Sequence, residues 1–369
     1  MSDWVDAPER GDARLLRLLR RLALTLGRRR TRPLLLPITL YFYARGAPAR
    51  RALARYYEAL GLAPTSRRLF RHHLAFAETI LDRVYLWAGR DDAPALRVRG
   101  LEALQQERAQ GRGCVLLGAH FGSFEAARAA ARDEPRLRMQ VVMHEGLSQA
   151  LNDTVAVLHP GVRGQVAPLG SAQDLLRLRE TLEEGGLVGL MGDRVVPGEA
   201  VYEALFLGRG TAFPLAPLRL AAALRAPVFF FAARYRPAVA GARDYELVCE
   251  RLAAPAPGGP ERAAWLQDLG ERYVQTLARQ CREIPDNWFN FYDFWHDEAG
   301  RPGTPDRGVS GAGGGVGRGL AARRCAARAR HRGAPHRAFH GNDSQRKLEA
   351  PPPKPRHPVL YTARHLDHA

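Results

Sequence analysis

From about residue 94 onward, short apolar runs alternate with helical stretches, and this alternation limits the fold more than any other feature of the chain. The apolar runs are Leu96–Val98, Cys114–Leu117, Met139–Met143, Leu187–Met191, Val228–Ala232 and Tyr245–Cys249. Helical stretches occupy about 122–132, 148–158, 171–184, 213–225 and 260–282. Strands separated by helices call for an α/β fold with a mostly parallel central sheet covered by helices. Upstream, 47–61 and 66–88 read as helices. In the second, Phe70, His73, Phe76, Ile80, Leu81 and Val84 share roughly one face. His72 and His73 read there as packing or surface residues rather than ligands. Sheets of this kind bind ligands beyond the carboxyl ends of their strands. His120 falls three residues after one such end, and Asp193 two residues after another.

The stretch Gly113-Cys-Val-Leu-Leu-Gly-Ala-His120-Phe-Gly-Ser-Phe-Glu125 reads as strand, turn and helix start. A histidine at such a turn can take a proton from a hydroxyl near neutral pH. Glu125 can accept the other ring N–H and so fix the tautomer. This is the base-plus-orienter logic of a Ser-His-Asp triad without an enzyme nucleophile, and it suits acyl transfer to an acceptor's hydroxyl. On spacing alone the alternative stays open: a His and a Glu five residues apart recur by chance, and Glu125 also fits as a first-turn helix charge.

The first sixty residues point to a lipid surface. Leucines 15, 18, 19, 22 and 26 fall at helical spacing with arginines 14, 17, 20 and 21 among them. Arg28, Arg29, Arg30 and Arg32 follow, and then the apolar run Pro33–Tyr43. That run is too short to span a bilayer, which needs roughly twenty residues. It suits a helix lying on or dipping into the cytoplasmic leaflet, with an internal packing helix and a secretory signal as alternatives. The net charge is +17, and about ten of that surplus falls after residue 300. The Gly/Arg/Pro-rich text there fits no phosphate loop and reads as a disordered basic tail. Its basic residues are not regularly interleaved with aromatic residues to stack bases, Phe339 and Tyr361 standing apart, so a specific nucleic-acid partner is not expected. The expected organisation is therefore a membrane-associating segment at 1–60, an α/β catalytic domain at 61–299 and a tail at 300–369. Cys114, Cys249, Cys281 and Cys325 show no paired spacing and read as buried free thiols.

The ordered succession of these features resembles the bacterial lipid A late acyltransferases, within the glycerolipid acyltransferase superfamily. Roughly residues 10–295 carry the resemblance. It runs through the basic start, Arg71–Asp82, Gly111–Glu125, Leu190–Arg194, Phe206–Pro214 and Ala226–Phe231. The resemblance implies that His120 is the general base and Glu125 its partner. It implies that Asp193 and Arg194 contact substrate, with Arg194 placing a phosphate or an acyl carrier. Gly208, Arg209 and Gly210 would border the acyl chain or acceptor. It also implies an acyl thioester donor, on acyl carrier protein or coenzyme A as co-substrate, and no metal or other cofactor. A lipid or glycolipid would be the acceptor, at the cytoplasmic face of the bacterial inner membrane.

Two departures are visible. The strand after the motif leads into His144-Glu145 where such enzymes tend to carry arginine. Near the end, Trp288–Trp295 is aromatic where they tend to be basic. Both suggest an acceptor less charged than lipid A, unless the aromatic run is simply core. A hydrolase would need its own nucleophile, and no G-x-S-x-G elbow is present. A non-catalytic membrane binder would use the basic ends and ignore His120. A zinc site from His120, His144 and His159 matches no familiar ligand spacing.

Overall fold

Apolar side chains alternate faces along the strands, and in this chain both faces are covered. Val115, Leu117, Ala119 and Phe121 enter one core while Cys114 and Leu116 enter the other. Val228, Phe230 and Ala232 alternate in the same way with Phe229, Phe231 and Ala233. Such near-continuous apolar runs are what a sheet buried on both sides requires. The computed structural model describes residues 21–90, 92–126, 129, 138–143, 166–168, 171–196, 198–237 and 243–295.

The elements in order are α1 (Arg28–Thr31), α2 (Leu35–Arg45), α3 (Ala47–Ala59), α4 (Ser66–Ala88), β1 (Leu96–Arg99), α5 (Glu102–Ala109), β2 (Cys114–Gly122), β3 (Met139–Met143) and β4 (Val166–Pro168). They continue with α6 (Ala172–Glu183), β5 (Leu187–Met191), β6 (Val201–Phe206), β7 (Arg209–Pro214), α7 (Ala216–Leu224), β8 (Val228–Pro237), β9 (Arg243–Ala253) and α8 (Glu261–Glu283). The main sheet has seven strands in the order β1-β9-β8-β2-β5-β3-β4. Every pairing in it is parallel except β8 with β9. Strands β9 and β1 therefore run against the other five. Helices α3, α6, α7 and α8 pack on one face, and α4 and α5 contribute to the core on the other.

All six expected strands are present, and three more join them. Strand β4 is only three residues long, too short to stand out in the text. Most of the Phe206–Pro214 stretch that carries part of the resemblance is one arm of the antiparallel hairpin β6–β7. Its two-residue turn, Leu207 and Gly208, has φ of 51° and 82°, the geometry that suits a tight hairpin. The helix expected from 213 accordingly starts at Ala216, after Pro214 ends the strand. Helix is present at 124–126 and 129 within the expected 122–132 stretch, whereas 148–158 lies outside the described residues. So do residues 1–20 and the tail from 296.

The N-terminal arginines divide into two kinds. Arg28 is 6% exposed and grips Asp82 of α4 through Nε at 2.6 Å and Nη2 at 3.0 Å. Arg32 reaches Glu78 at 2.6 Å. Tyr245 and Tyr235 donate their hydroxyls to the same two carboxylates, at 3.2 and 2.6 Å. These two arginines fasten the segment to the body, Arg28 buried and Arg32 half-buried, so the four do not act as one exposed basic flank. Arg29 and Arg30 are exposed. Beyond them α2 presents Leu36, Ile38, Leu40, Tyr41 and Phe42 to the outside, Leu40 at 58% exposure, and buries only Thr39 fully. Among the described residues no helix is long and apolar enough to cross a membrane.

Candidate active site

Strand β2 does not end where its ladder with β8 breaks. The pairing holds from Val115 to Gly118 and resumes at Gly122 against Ala233, leaving Ala119–Phe121 as a bulge. Bulges of this kind re-aim side chains at sheet ends. Gly122 has φ of 68°, and a Cβ there would lie 1.7 Å from the Ala233 carbonyl oxygen. Only glycine lets the chain turn so closely against β8. Ser123 N–H then donates to that carbonyl at 3.0 Å, and the helix starts at Phe124. Phe121 forms an antiparallel bridge with Trp288, and Phe289 N–H donates to the His120 carbonyl at 2.8 Å. The bulge is thus filled by the segment that follows α8.

Strand β5 is the direct neighbour of β2 in parallel register, Gly118 opposite Met191. The loops leaving these two carboxyl ends therefore meet. Gly192 N–H bonds the Gly118 carbonyl at 3.0 Å, which brings Asp193 under His120. Asp193 Oδ1 lies 2.9 Å from His120 Nδ1, and Oδ2 accepts the His120 backbone N–H at 2.9 Å. Oδ2 also accepts the Trp288 indole N–H at 3.1 Å, and Tyr292 donates its hydroxyl to the Asp193 carbonyl at 3.3 Å. Asp193 is 2% exposed, whereas the imidazole keeps 31% of its surface open.

The geometry bears on two sequence assignments. The oxygen on Nδ1 of His120 belongs to Asp193, not to Glu125, because adjacent parallel strands bring their carboxyl ends within one strand spacing, roughly 5 Å. Asp193 is accordingly a partner of the histidine, with protein donors on both carboxylate oxygens. Glu125 is 6% exposed, inside the helix that follows the turn.

The electrostatics suit a base. Burial alone would raise the Asp193 carboxyl, but the charge and hydrogen bonds of His120, with Arg194, outweigh it and hold the group at about 2. The carboxylate is therefore ionised and accepts, so Nδ1 carries the ring proton and Nε2 the lone pair. Burial lowers the proton affinity of His120, and the charges of Arg194 and Arg83 add to this while Asp193 opposes it. The ring is neutral at neutral pH. Arg194 donates to the Phe289 carbonyl at 3.3 Å, on the segment that covers the bulge.

The other expected site residues lie elsewhere. Gly208, Arg209 and Gly210 form the exposed tip of the β6–β7 hairpin, with the Arg209 guanidinium 5.7 Å from the Trp295 ring centre. The hairpin touches the segment beside the site: Phe206 contacts the Trp288 ring at 5.2 Å, and the Thr211 hydroxyl donates to the Phe294 carbonyl at 3.1 Å. The Trp288–Trp295 run is core rather than an aromatic surface, for Trp288, Phe289 and Trp295 are 1%, 4% and 8% exposed. That removes its bearing on acceptor charge. His72 is fully buried between the Tyr57 hydroxyl and the Trp288 carbonyl, each at 3.0 Å. Trp288 as a partner of Asp193 is not legible in the sequence, because an indole N–H carries no spacing signal. Ser123 is wholly buried. Cys114, Cys249 and Cys281 are buried free thiols, and His144 and His159 lie outside the described residues.

Residues 71–247, which hold both His120 and Asp193, match the model of the family described as bacterial lipid A biosynthesis acyltransferase. The match supports a member of that family, and the family implies an acyltransferase acting on lipid. No curated protein matches the chain.

Proposed function

We propose, taking membership of the lipid A biosynthesis acyltransferase family as the premise, that the chain moves a fatty acyl group from a thioester to a lipid hydroxyl, with His120 as general base and Asp193 as its orienter. The observation that carries this reading is the bidentate grip of Asp193 on His120 at the carboxyl ends of β2 and β5. The acceptor hydroxyl gives its proton to Nε2 as its oxygen attacks the thioester carbonyl. The new C–O bond forms, the C–S bond breaks, and the imidazolium returns its proton to the leaving thiolate. Asp193 stays ionised throughout and stabilises the imidazolium.

The donor is an acyl thioester carried by acyl carrier protein or coenzyme A, and the acceptor is a membrane lipid or glycolipid. Arg194, beside the imidazole, is suited to the phosphate of a carrier or headgroup. The apolar face of α2, with the exposed Arg29 and Arg30 before it, rests in the cytoplasmic leaflet of the inner membrane and brings the site to its lipid acceptor. A hydrolase using Ser123 is disfavoured by that residue's complete burial.

The test is transfer of a radiolabelled acyl group from acyl carrier protein by membranes containing wild-type protein, H120A or D193N. Loss of transfer in both variants, at unchanged protein level, is the expected result. Full activity of H120A would remove the base from this reading, and full activity of D193N would remove the orienter.

A further inference from the structure

Asp193 takes a third hydrogen bond beyond the two from His120, and it comes from outside the strands that present the pair. Trp288 donates its indole N–H to Oδ2 at 3.1 Å. The same residue is fixed from behind. His72 Nε2 lies 3.0 Å from the Trp288 carbonyl, which can only accept, so Nε2 carries the imidazole proton. His72 Nδ1 is then the acceptor of the Tyr57 hydroxyl at 3.0 Å. The ring of Trp288 is clasped by Tyr56, Phe206 and Phe294, with centroids 5.1, 5.2 and 4.9 Å away. An indole seated this firmly in a fully buried place can hold its N–H on one oxygen.

We propose that Trp288 is a positioning residue for the His120–Asp193 pair, setting through its N–H how strongly Asp193 supports the protonated imidazole. The proposal rests on the reading of His120 as the base. An N–H on Oδ2 draws negative charge away from Oδ1. Without it the carboxylate is a stronger partner for the imidazolium, and His120 holds its proton to higher pH. Among the described residues, the charged groups acting on His120 are Asp193 and Arg194 after β5 and Arg83 of α4. Tyr273 and Cys281 of α8 and Tyr292 also lie in the field of Asp193. Of these groups, Asp193 is the one that accepts a hydrogen bond from the Trp288 indole.

The experiment measures the rate at which diethyl pyrocarbonate modifies His120 in the full chain as a function of pH, read by mass spectrometry of its peptide. The reagent attacks only the neutral ring, so the midpoint reports the His120 proton affinity without any substrate. W288F removes the N–H and keeps an aromatic ring. Benzothienylalanine at the same position keeps the indole outline and removes only the donor, so it decides the matter if W288F does not fold. The expected result is a midpoint raised by about half a unit to one unit in the folded variant. An unchanged or lowered midpoint in folded protein overturns the proposal. The base reading fails separately: H120A with full acyl transfer would end it even where the midpoint shift is seen.

Discussion

Asp193 holds His120 at two points, accepting the ring proton on one oxygen and the backbone N–H on the other, both at 2.9 Å. A carboxylate bound to the main chain of the residue it serves cannot swing away without breaking the strand end, so orientation of the imidazole is built into the sheet.

Replacing Asp193 by Asn keeps the shape but offers an amide where an anion stood. The neutral ring is then free to adopt the tautomer with Nε2 protonated, which is useless as a base. We expect kcat to fall by about a thousand- to ten-thousand-fold, as for orienting carboxylates elsewhere, with KM nearly unchanged. A steady-state comparison with wild type checks it, and a pure KM effect would contradict the assignment.

The acid limb of the pH–rate profile should lie below the ordinary imidazole value of about 6.5, since burial, Arg194 and Arg83 all disfavour the protonated ring. A lowered pKa keeps the base neutral to lower pH, so the rate is already flat at neutrality and is lost only on further acidification. R194Q removes a cation beside the ring and should move that limb upward. Profiles for the two proteins, measured at saturating donor, give the comparison.

Gly122 admits no side chain, because a Cβ would lie 1.7 Å from the Ala233 carbonyl oxygen. G122A must push β2 away from β8 or flatten the turn. A loss on the order of 3 kcal/mol is expected, visible as a lower midpoint in thermal or urea unfolding.

Arg28 and its neighbours should separate stability from lipid binding. R28M strands Asp82, 1% exposed, without its cation, and breaking such a buried pair costs about 3–5 kcal/mol. R29A and R30A should change stability by less than about 0.5 kcal/mol while weakening binding to anionic vesicles by about 1 kcal/mol each. Unfolding curves and vesicle sedimentation on the same three variants distinguish the two roles.

The exposed face of α2 should carry the apolar part of membrane contact. L40S and F42S each remove a side chain whose burial in lipid contributes about 1.5–3 kcal/mol, so each should lower partition into neutral vesicles by about tenfold or more. Unchanged sedimentation of the double variant would argue against lipid contact by this face.

The strands were legible because both faces of the sheet are buried and the runs are unbroken, as in Cys114–Leu117 and Val228–Ala232. His120 was legible for the same reason, standing just past such a run. What the text hides is strand order. Asp193 stands 73 residues from His120, and only the adjacency of β2 and β5 makes them partners. Glu125 is close in sequence, yet the carboxylate that strand adjacency sets against the imidazole is that of Asp193. Burial is the other property that residue types leave open. The arginines before α2 look alike in sequence, yet Arg28 and Arg32 face Asp82 and Glu78 on α4. The aromatic run after α8 fits surface or core in sequence, and it folds inward around Trp288.

The bridge between Phe121 and Trp288 also has a bearing on the order of assembly. During synthesis His120 and Asp193 leave the ribosome well before residue 288. Until Trp288 arrives, the bulge of β2 lacks its edge partner and Asp193 lacks its third donor. Activity should therefore be the last property the nascent chain acquires.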